Sequence, residues 1–396
     1  MKVLIYHKMF PPFLAGGAFQ PLMFIAELQK SCDVTLAVND DANLEKAAEM
    51  SGVAIDPGKL KVVKLDSGKG FASRHEWYAA LVRTRKLKKL AKDADVCIST
   101  ANVIDFGRGA HHFIYLLSQF AGAAFYDYLM GRGGGMGPRR LFRRFSTSIY
   151  ENIVKPLFGV RSVRRIFADP KERIYPTSKY VEKILEGYFG PFNSEVFYPP
   201  TTFEFRDASV PRDPLLAIYV GRIFAPKRIT DIVETVEKAR TLAGKDLKLH
   251  IAGQLVESPY IDNLKRLEKE RPWLKLVGPV YGRDKERFML SATYALHAER
   301  DEAFGIAIAE YLKAGCIPLV PDAGGPREIV ARKELEFRTV DQAARTLADL
   351  VLDADFRDAM RTHCAERGRE FTVDAYVARE RRLMSGITAS AKERES

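Results

Sequence analysis

Short apolar runs alternate with longer amphipathic stretches along this chain, most regularly in its second half. Residues 215–220, 247–252, 274–277, 293–298 and 317–320 have the length and composition of strands. Between them, residues 230–242, 260–269, 285–291 and 306–314 place apolar side chains at helical spacing. Strand-helix alternation with short connections predicts a parallel sheet covered on both faces. The first half repeats the theme less regularly, with strands expected at 3–6, 34–38, 62–65, 96–99 and 113–117 and a short late one at 174–176. Four prolines (Pro199, Pro200, Pro211, Pro214) stop helix and sheet alike between the halves. The pattern therefore predicts an amino-terminal domain over 1–200, a linker over 201–214 and a carboxy-terminal domain over 215–370. The tail reads as helical from 340 to 384, anchored by Phe371 and Tyr376, and residues 371–396 are expected to pack back toward the amino-terminal domain. Two doubly wound domains of this kind, facing across a cleft, bind ligands at the carboxyl ends of their strands.

Composition agrees with two domains. The chain has 396 residues, of which 46% are apolar and 11% aromatic, enough for a core in each half and incompatible with a disordered or collagenous chain. Cys32, Cys97, Cys316 and Cys364 are far apart in sequence, so neither a disulfide framework nor a zinc cluster is expected, and a reducing, cytoplasmic setting is. The first apolar run is too short for a secretory signal. The most apolar stretch, 113–130, is broken by Ser118, Gln119 and Asp127, short of the ~20 apolar residues of a spanning helix.

Charge changes the picture locally. The formal net charge is +11, and residues 132–173 hold eleven basic side chains against Glu151, Asp169 and Glu172. There Phe142, Phe145, Ile149 and Ile153 form one helical stripe, with Arg139, Arg140, Arg143 and Arg144 beside and behind it. Such a helix either lies in the headgroup layer of an anionic membrane or packs on the protein's own core with its arginines solvated. The patch lacks the motif spacing of a nucleic-acid binder. The glycine-rich run before it, 132–138, reads as a loop suited to an acceptor gate.

Three features carry chemistry. In Val220-Gly221-Arg222-Ile223-Phe224-Ala225-Pro226-Lys227 a strand ends in a glycine turn flanked by two cations, a possible diphosphate clamp or an ordinary solvated turn. In Glu302-Ala303-Phe304-Gly305-Ile306-Ala307-Ile308-Ala309-Glu310 two glutamates bracket a helix start whose free amides suit a phosphate. Glu310 is either a surface residue or, given its apolar neighbours Ile306, Ile308, Ala309 and Leu312, a ligand for a ribose. Asp322-Ala323-Gly324-Gly325-Pro326-Arg327-Glu328 is a Gly-Gly turn that permits close backbone approach to a ligand.

Taken in order with Gly253 and Val277-Gly278-Pro279-Val280, these elements resemble the retaining nucleotide-sugar glycosyltransferases of the GT-B fold, family four. The resemblance is close over 215–331. It is looser in the first half, through Phe10-Pro11-Pro12-Phe13-Leu14-Ala15-Gly16-Gly17, Pro176-Thr177-Ser178-Lys179-Tyr180 and Val196-Phe197-Tyr198-Pro199-Pro200. It implies an α/β protein that moves a hexose-type sugar from a nucleotide-sugar donor with retention of configuration. Arg222 and Lys227 would neutralise the departing diphosphate, Glu302 would hold the donor sugar and Glu310 the ribose. Phe304, Gly305 and Ile306 would offer backbone donors, Val280 would face the base, and Gly16 and Gly17 would close on the diphosphate. No metal or other cofactor is implied, because the cationic pair does the work of a divalent ion.

Many relatives carry a histidine near the donor sugar, where this chain has Leu117, Ser118 or Gln119; His7 could face the cleft or be structural. A metal-dependent GT-A transferase would need an Asp-x-Asp at a strand end, and neither Asp93-Ala94-Asp95 nor Asp353-Ala354-Asp355 is so placed. A nucleotide-sugar epimerase of the same fold and a non-catalytic, membrane-docked sugar-binding subunit are the competing readings. Relatives acting on lipid-linked acceptors set a basic, apolar face of the amino-terminal domain on the inner leaflet. With that resemblance, residues 139–165 read as an anionic-membrane patch and the acceptor as a lipid-linked or membrane-associated glycan.

Overall fold

The computed structural model describes residues 1–8, 19–39, 44, 47–48, 53–65, 75–100, 103–114, 148–201, 203–207 and 209–393. Gly16, Gly17, Leu117, Ser118, Gln119, Arg139, Arg140, Phe142, Arg143, Arg144 and Phe145 lie outside the described residues. The chain divides into two compact units, residues 1–200 with 377–396, and residues 201–376.

The first unit is built on a six-stranded sheet of order β3-β2-β1-β4-β5-β6. The strands are β1 (Lys2–His7), β2 (Asp33–Val38), β3 (Leu60–Lys64), β4 (Val96–Ser99), β5 (His111–Ile114) and β6 (Arg173–Pro176), every neighbouring pair parallel. Central β1 is buried from Val3 to His7 because helices cover both faces, whereas edge strand β3 exposes Lys61 and Lys64 and so discourages further pairing. Helix α1 (Phe19–Leu28) buries Phe24 against Phe113 of β5, ring centroids 4.7 Å apart, and Phe113 stacks on Tyr175 of β6 at 4.4 Å. Helix α2 (Glu76–Ala91) carries Lys88 to the buried Asp105. Arg161 ties the same carboxylate to Asp169 and Glu172. Burial pushes the Asp105 carboxyl up, but hydrogen bonds from Arg161, Lys88 and the Gly107 amide outweigh it and hold it at about 2. Helix α3 (Lys179–Phe189) begins at Ser178, whose hydroxyl accepts from the Val181 amide at 3.1 Å, and stops at Gly190, which takes φ +77°.

The second unit has a six-stranded sheet of order β12-β11-β10-β7-β8-β9. Its strands are β7 (Asp213–Val220), β8 (Lys248–Ala252), β9 (Leu274–Gly278), β10 (Ala292–Leu296), β11 (Ile317–Pro321) and β12 (Glu336–Phe337), again parallel throughout. Counted from the first strand of each unit, the two orders are the same, 3-2-1-4-5-6, the doubly wound dinucleotide-fold order. Helices α4 (Ile229–Ala243), α5 (Pro259–Glu270), α6 (Gly282–Leu290), α7 (Ile306–Lys313), α8 (Pro326–Val330), α9 (Val340–Leu352) and α10 (Ala354–Gly368) cover the sheet. The final helix, α11 (Val373–Glu393), begins in this unit and from Val377 belongs to the first. The order reverses between β7 and β10, and that reversal opens a crevice at their carboxyl ends.

Candidate active site

Three of the candidate residues, Arg222, Lys227 and Glu302, gather at that crevice. Strand β7 ends at Val220, and the Tyr219 hydroxyl donates to the Arg222 carbonyl at 3.0 Å, fixing the turn. A Cβ on Gly221 would stand 2.8 Å from that hydroxyl, and one on Gly253, at the end of β8, would overlap the Gly221 carbonyl. Only glycine fits both places. The chain then makes a single 3-10 turn, Ala225–Lys227, and enters α4 through Arg228, a non-glycine residue at φ +53°. This turn aims Lys227 inward. Phe224 lies beneath both cations, its ring centroid 5.1 Å from the Arg222 guanidinium and 6.0 Å from the Lys227 ammonium. Arg222 is exposed.

Strand β10 delivers the opposing charge. Beyond Leu296 the chain runs through His297, Glu299 and Glu302 before α7. The Lys227 ammonium is ion-paired to Glu299 and, at 2.6 Å, to Glu302. His297 Nε2 stands 4.0 Å from the same Glu302 oxygen and has no hydrogen-bond partner among the described residues. Burial drives the imidazole down to about 4, opposed by Glu302 and reinforced by Lys227, so it is neutral near pH 7. Burial also raises both carboxyls. For Glu302 the charge and hydrogen bond of Lys227 reverse the sign and leave it lowered; for Glu299 burial prevails and it stays raised.

Gly305 caps α7 at φ +102°, and a Cβ there would lie 2.6 Å from Ile308 Cδ1. The Gly305 carbonyl accepts from the Ile308 amide at 2.9 Å, so the amides left without an acceptor in the helix are those ahead of it, Ile306 among them, the usual condition of a helix start. The Gly324-Gly325 turn behaves differently from the expectation that it admits a ligand. A Cβ on Gly324 would come 2.8 Å from the Arg300 carbonyl and 2.9 Å from that of Glu302, and one on Gly325 would overlap the Ala303 carbonyl. The Gly325 amide donates to the Glu302 carbonyl at 2.9 Å. These glycines wedge the site loop in place. The Phe304 ring faces Phe371 edge-on at 6.1 Å.

Glu310 is buried and accepts from Lys285 of α6 at 2.6 Å, so its apolar neighbourhood is balanced by a cation that the sequence pattern did not reveal. Val280 is half-buried and lines a groove with Val277, Asp207, Arg287 and Phe288 that contains none of the other candidates. Arg222, Lys227 and Glu302 are thus brought together, while Val280 and Glu310 stand apart from that cluster. Glu299, His297 and Lys285 went unread. The one available signal was a histidine and a glutamate just past a strand end at the reversal point. In the first unit, His7 at the end of β1 lies 3.1 Å from the Thr100 hydroxyl, and His112 pairs with Glu172 at 2.8 Å.

Two doubly wound units of equal strand order, one with a lysine-carboxylate cluster at its reversal point, define a GT-B glycosyltransferase fold. Residues 201–371 match the family model "Glycosyl transferases group 1". No curated protein sequence matches the chain. Among solved structures, Anabaena HepE in complex with UDP and glucose superposes with a TM-score of 0.64 at 13% identity, over 98% of this chain and 100% of its own. Sucrose-phosphate synthase from Thermosynechococcus elongatus reaches 0.66 at 13% identity, over 98% and 99%. WaaG, a glycosyltransferase of lipopolysaccharide biosynthesis, reaches 0.60 at 13% identity, over 95% and 96%.

Proposed function

We propose that the chain transfers a hexose-type sugar from a nucleotide-sugar donor to a lipid-linked or membrane-associated glycan, with retention at the anomeric carbon. The observation that carries this reading is the Lys227 ammonium held between Glu299 and Glu302 at the reversal point of the second sheet, with Arg222 sharing the Phe224 ring. In this reading the diphosphate is received by Lys227, Arg222 and the amides of Phe304, Gly305 and Ile306. Its leaving charge is neutralised as the glycosidic bond opens. A leaving-phosphate oxygen takes the acceptor proton, so no protein base is invoked. Glu302 orients the sugar, Glu310 with Lys285 meets the ribose, and Val280 meets the base. Lys227 and Arg222 supply cations from the chain itself, and the reaction is read as independent of a divalent ion. The UDP held by HepE makes a uridine nucleotide the first donor to test.

The acceptor reading is supported by the first unit's surface. Trp77 of α2 is 44% exposed, and Ile153 and Leu157 are 53% and 76% exposed on the segment that Tyr150 joins to Trp77. Arg85 lies over Phe158 at 5.0 Å, placing an exposed cation beside these apolar groups as an anionic leaflet requires, whereas Lys155 is neutralised by Glu151 at 2.6 Å. Among the described residues no helix is long and apolar enough to cross a membrane, and the proposed location is peripheral, on the inner face. WaaG's role in lipopolysaccharide biosynthesis points the same way.

The test is a thermal-shift screen of nucleotide sugars, followed by turnover of the labelled best hit with lipid extract. Labelled sugar in the lipid fraction is the expected result; altered free sugar without an acceptor would mean an epimerase, and no turnover a binding subunit. Sedimentation with vesicles should show binding to anionic but not neutral lipid, weakened by Leu157→Glu. Equal binding to both, or to neither, removes the membrane reading.

A further inference from the structure

If the donor reading holds, the Lys227 cluster poses a charge problem. One ammonium faces two carboxylates whose side chains are only 18% and 17% exposed, and His297 adds no charge near neutral pH. Lys227, Glu299 and Glu302 by themselves are net negative before any ligand arrives, and Arg222 only brings the site to neutrality. A diphosphate seated on Lys227 would meet Glu299 and Glu302 at close quarters, where screening by water is weak and repulsion several-fold stronger than in bulk solvent.

We propose that Glu299 is the positioning residue of this site: it holds the Lys227 ammonium in the diphosphate's place and yields it to the donor by taking up one proton from solvent. The ammonium keeps its three hydrogens and turns one from Glu299 to a phosphate oxygen. The Glu299 carboxylate becomes a neutral acid, and its new O–H can point at the Glu302 carboxylate, so neither group is stranded.

Glu299 is the partner that yields because Glu302 is fixed from more sides. The Glu302 carbonyl accepts from Gly325, and its carboxylate also faces His297 at 4.0 Å. Burial already leaves Glu299 easier to protonate, whereas the Lys227 ammonium leaves Glu302 harder. The other groups around the pair do not supply the proton. Tyr219 of β7 has a hydroxyl held far above its ordinary range by burial, with the two glutamates and Tyr260 of α5 adding to the rise and Arg222 opposing it. Arg300 is bound to Asp322 at 2.7 Å.

Calorimetry of UDP binding in buffers of different ionisation heat, above about pH 7 where the nucleotide's own phosphate stays ionised, tests this. The unaltered chain should take up as much as one proton per UDP, with affinity falling up to about tenfold per pH unit. Glu299→Gln should bind UDP with no uptake and a flat pH profile, and Glu299→Asp, which keeps a titrating group, should restore uptake. The Asp variant also keeps the test readable if the Gln variant does not fold. Unchanged uptake in Glu299→Gln, or binding by the unaltered chain with no uptake, overturns the inference while leaving the donor reading intact. Binding of neither UDP nor GDP by the unaltered chain sinks the donor reading, and this inference with it.

Discussion

Lys227 is the residue on which most converges, and its removal should act twice. Lys227→Ala should lower kcat by about 10²–10³, the scale of losing one charge-stabilising donor, as read by labelled-sugar transfer. It also leaves Glu299 and Glu302 facing each other, so both carboxyls move up and the variant's stability deficit should grow as pH rises above the unfolded carboxylate range. Denaturant melts at pH 5 and pH 8 check this; an equal deficit at both would refute it. His297 gives the opposite slope. Its folded-state value near 4 lies below the ordinary 6.5, so the unfolded chain binds the proton first and stability falls as pH drops through that window, by on the order of 3 kcal/mol. His297→Asn should flatten that limb in urea melts. Arg222, Lys227 and Glu302 were legible because turn chemistry and a helix start have fixed spacings. Glu299 and His297 were not, since their meeting with Lys227 depends on how a loop winds after β10.

At the scale of elements, strand cores were readable and their ends were not. Residues 215–220 were expected where β7 spans Asp213–Val220, because the Asp213 side chain accepts from the Leu215 amide at 2.8 Å and draws the start of the strand outward. The expected 113–117 begins instead at His111, since two histidines satisfied by Tyr175 and Glu172 pass as strand residues despite their polarity. Strand β12, two residues long, is too short to leave a pattern. The Gly-Gly turn yields a prediction of its own. Gly325→Ala must push the Ala303–Phe304 backbone away, at about 1–3 kcal/mol of overpacking strain. It should therefore lower Tm and raise the donor KM together. A variant with an unchanged donor KM would show that the wedge does not position the site loop.

For the whole molecule, equal strand order in two units of unlike sequence shows that topology was set by alternation and length rather than by particular residues. In the proposed reading, function is set by what stands at one reversal point. The division into units also draws attention to Glu380, on the part of α11 that belongs to the first. It is 1% exposed, and its Oε1 has no hydrogen-bond partner among the described residues. Burial first, then the nearby Glu27, lift its carboxyl to about 8 against the pull of Lys30 and Arg381. Its contribution is full below the ordinary carboxylate value and lost as pH climbs through 8, so Glu380→Gln should raise Tm at pH 9 and leave it nearly unchanged at pH 5. Differential scanning calorimetry across that range is the check. The arrangement of residues 1–200 with 377–396 has a temporal side. On the ribosome, residues 201–376 emerge as one uninterrupted stretch and can fold as they appear. The portion made first must wait, one helix short, until the whole of the second unit has been made and residues from 377 onward follow it.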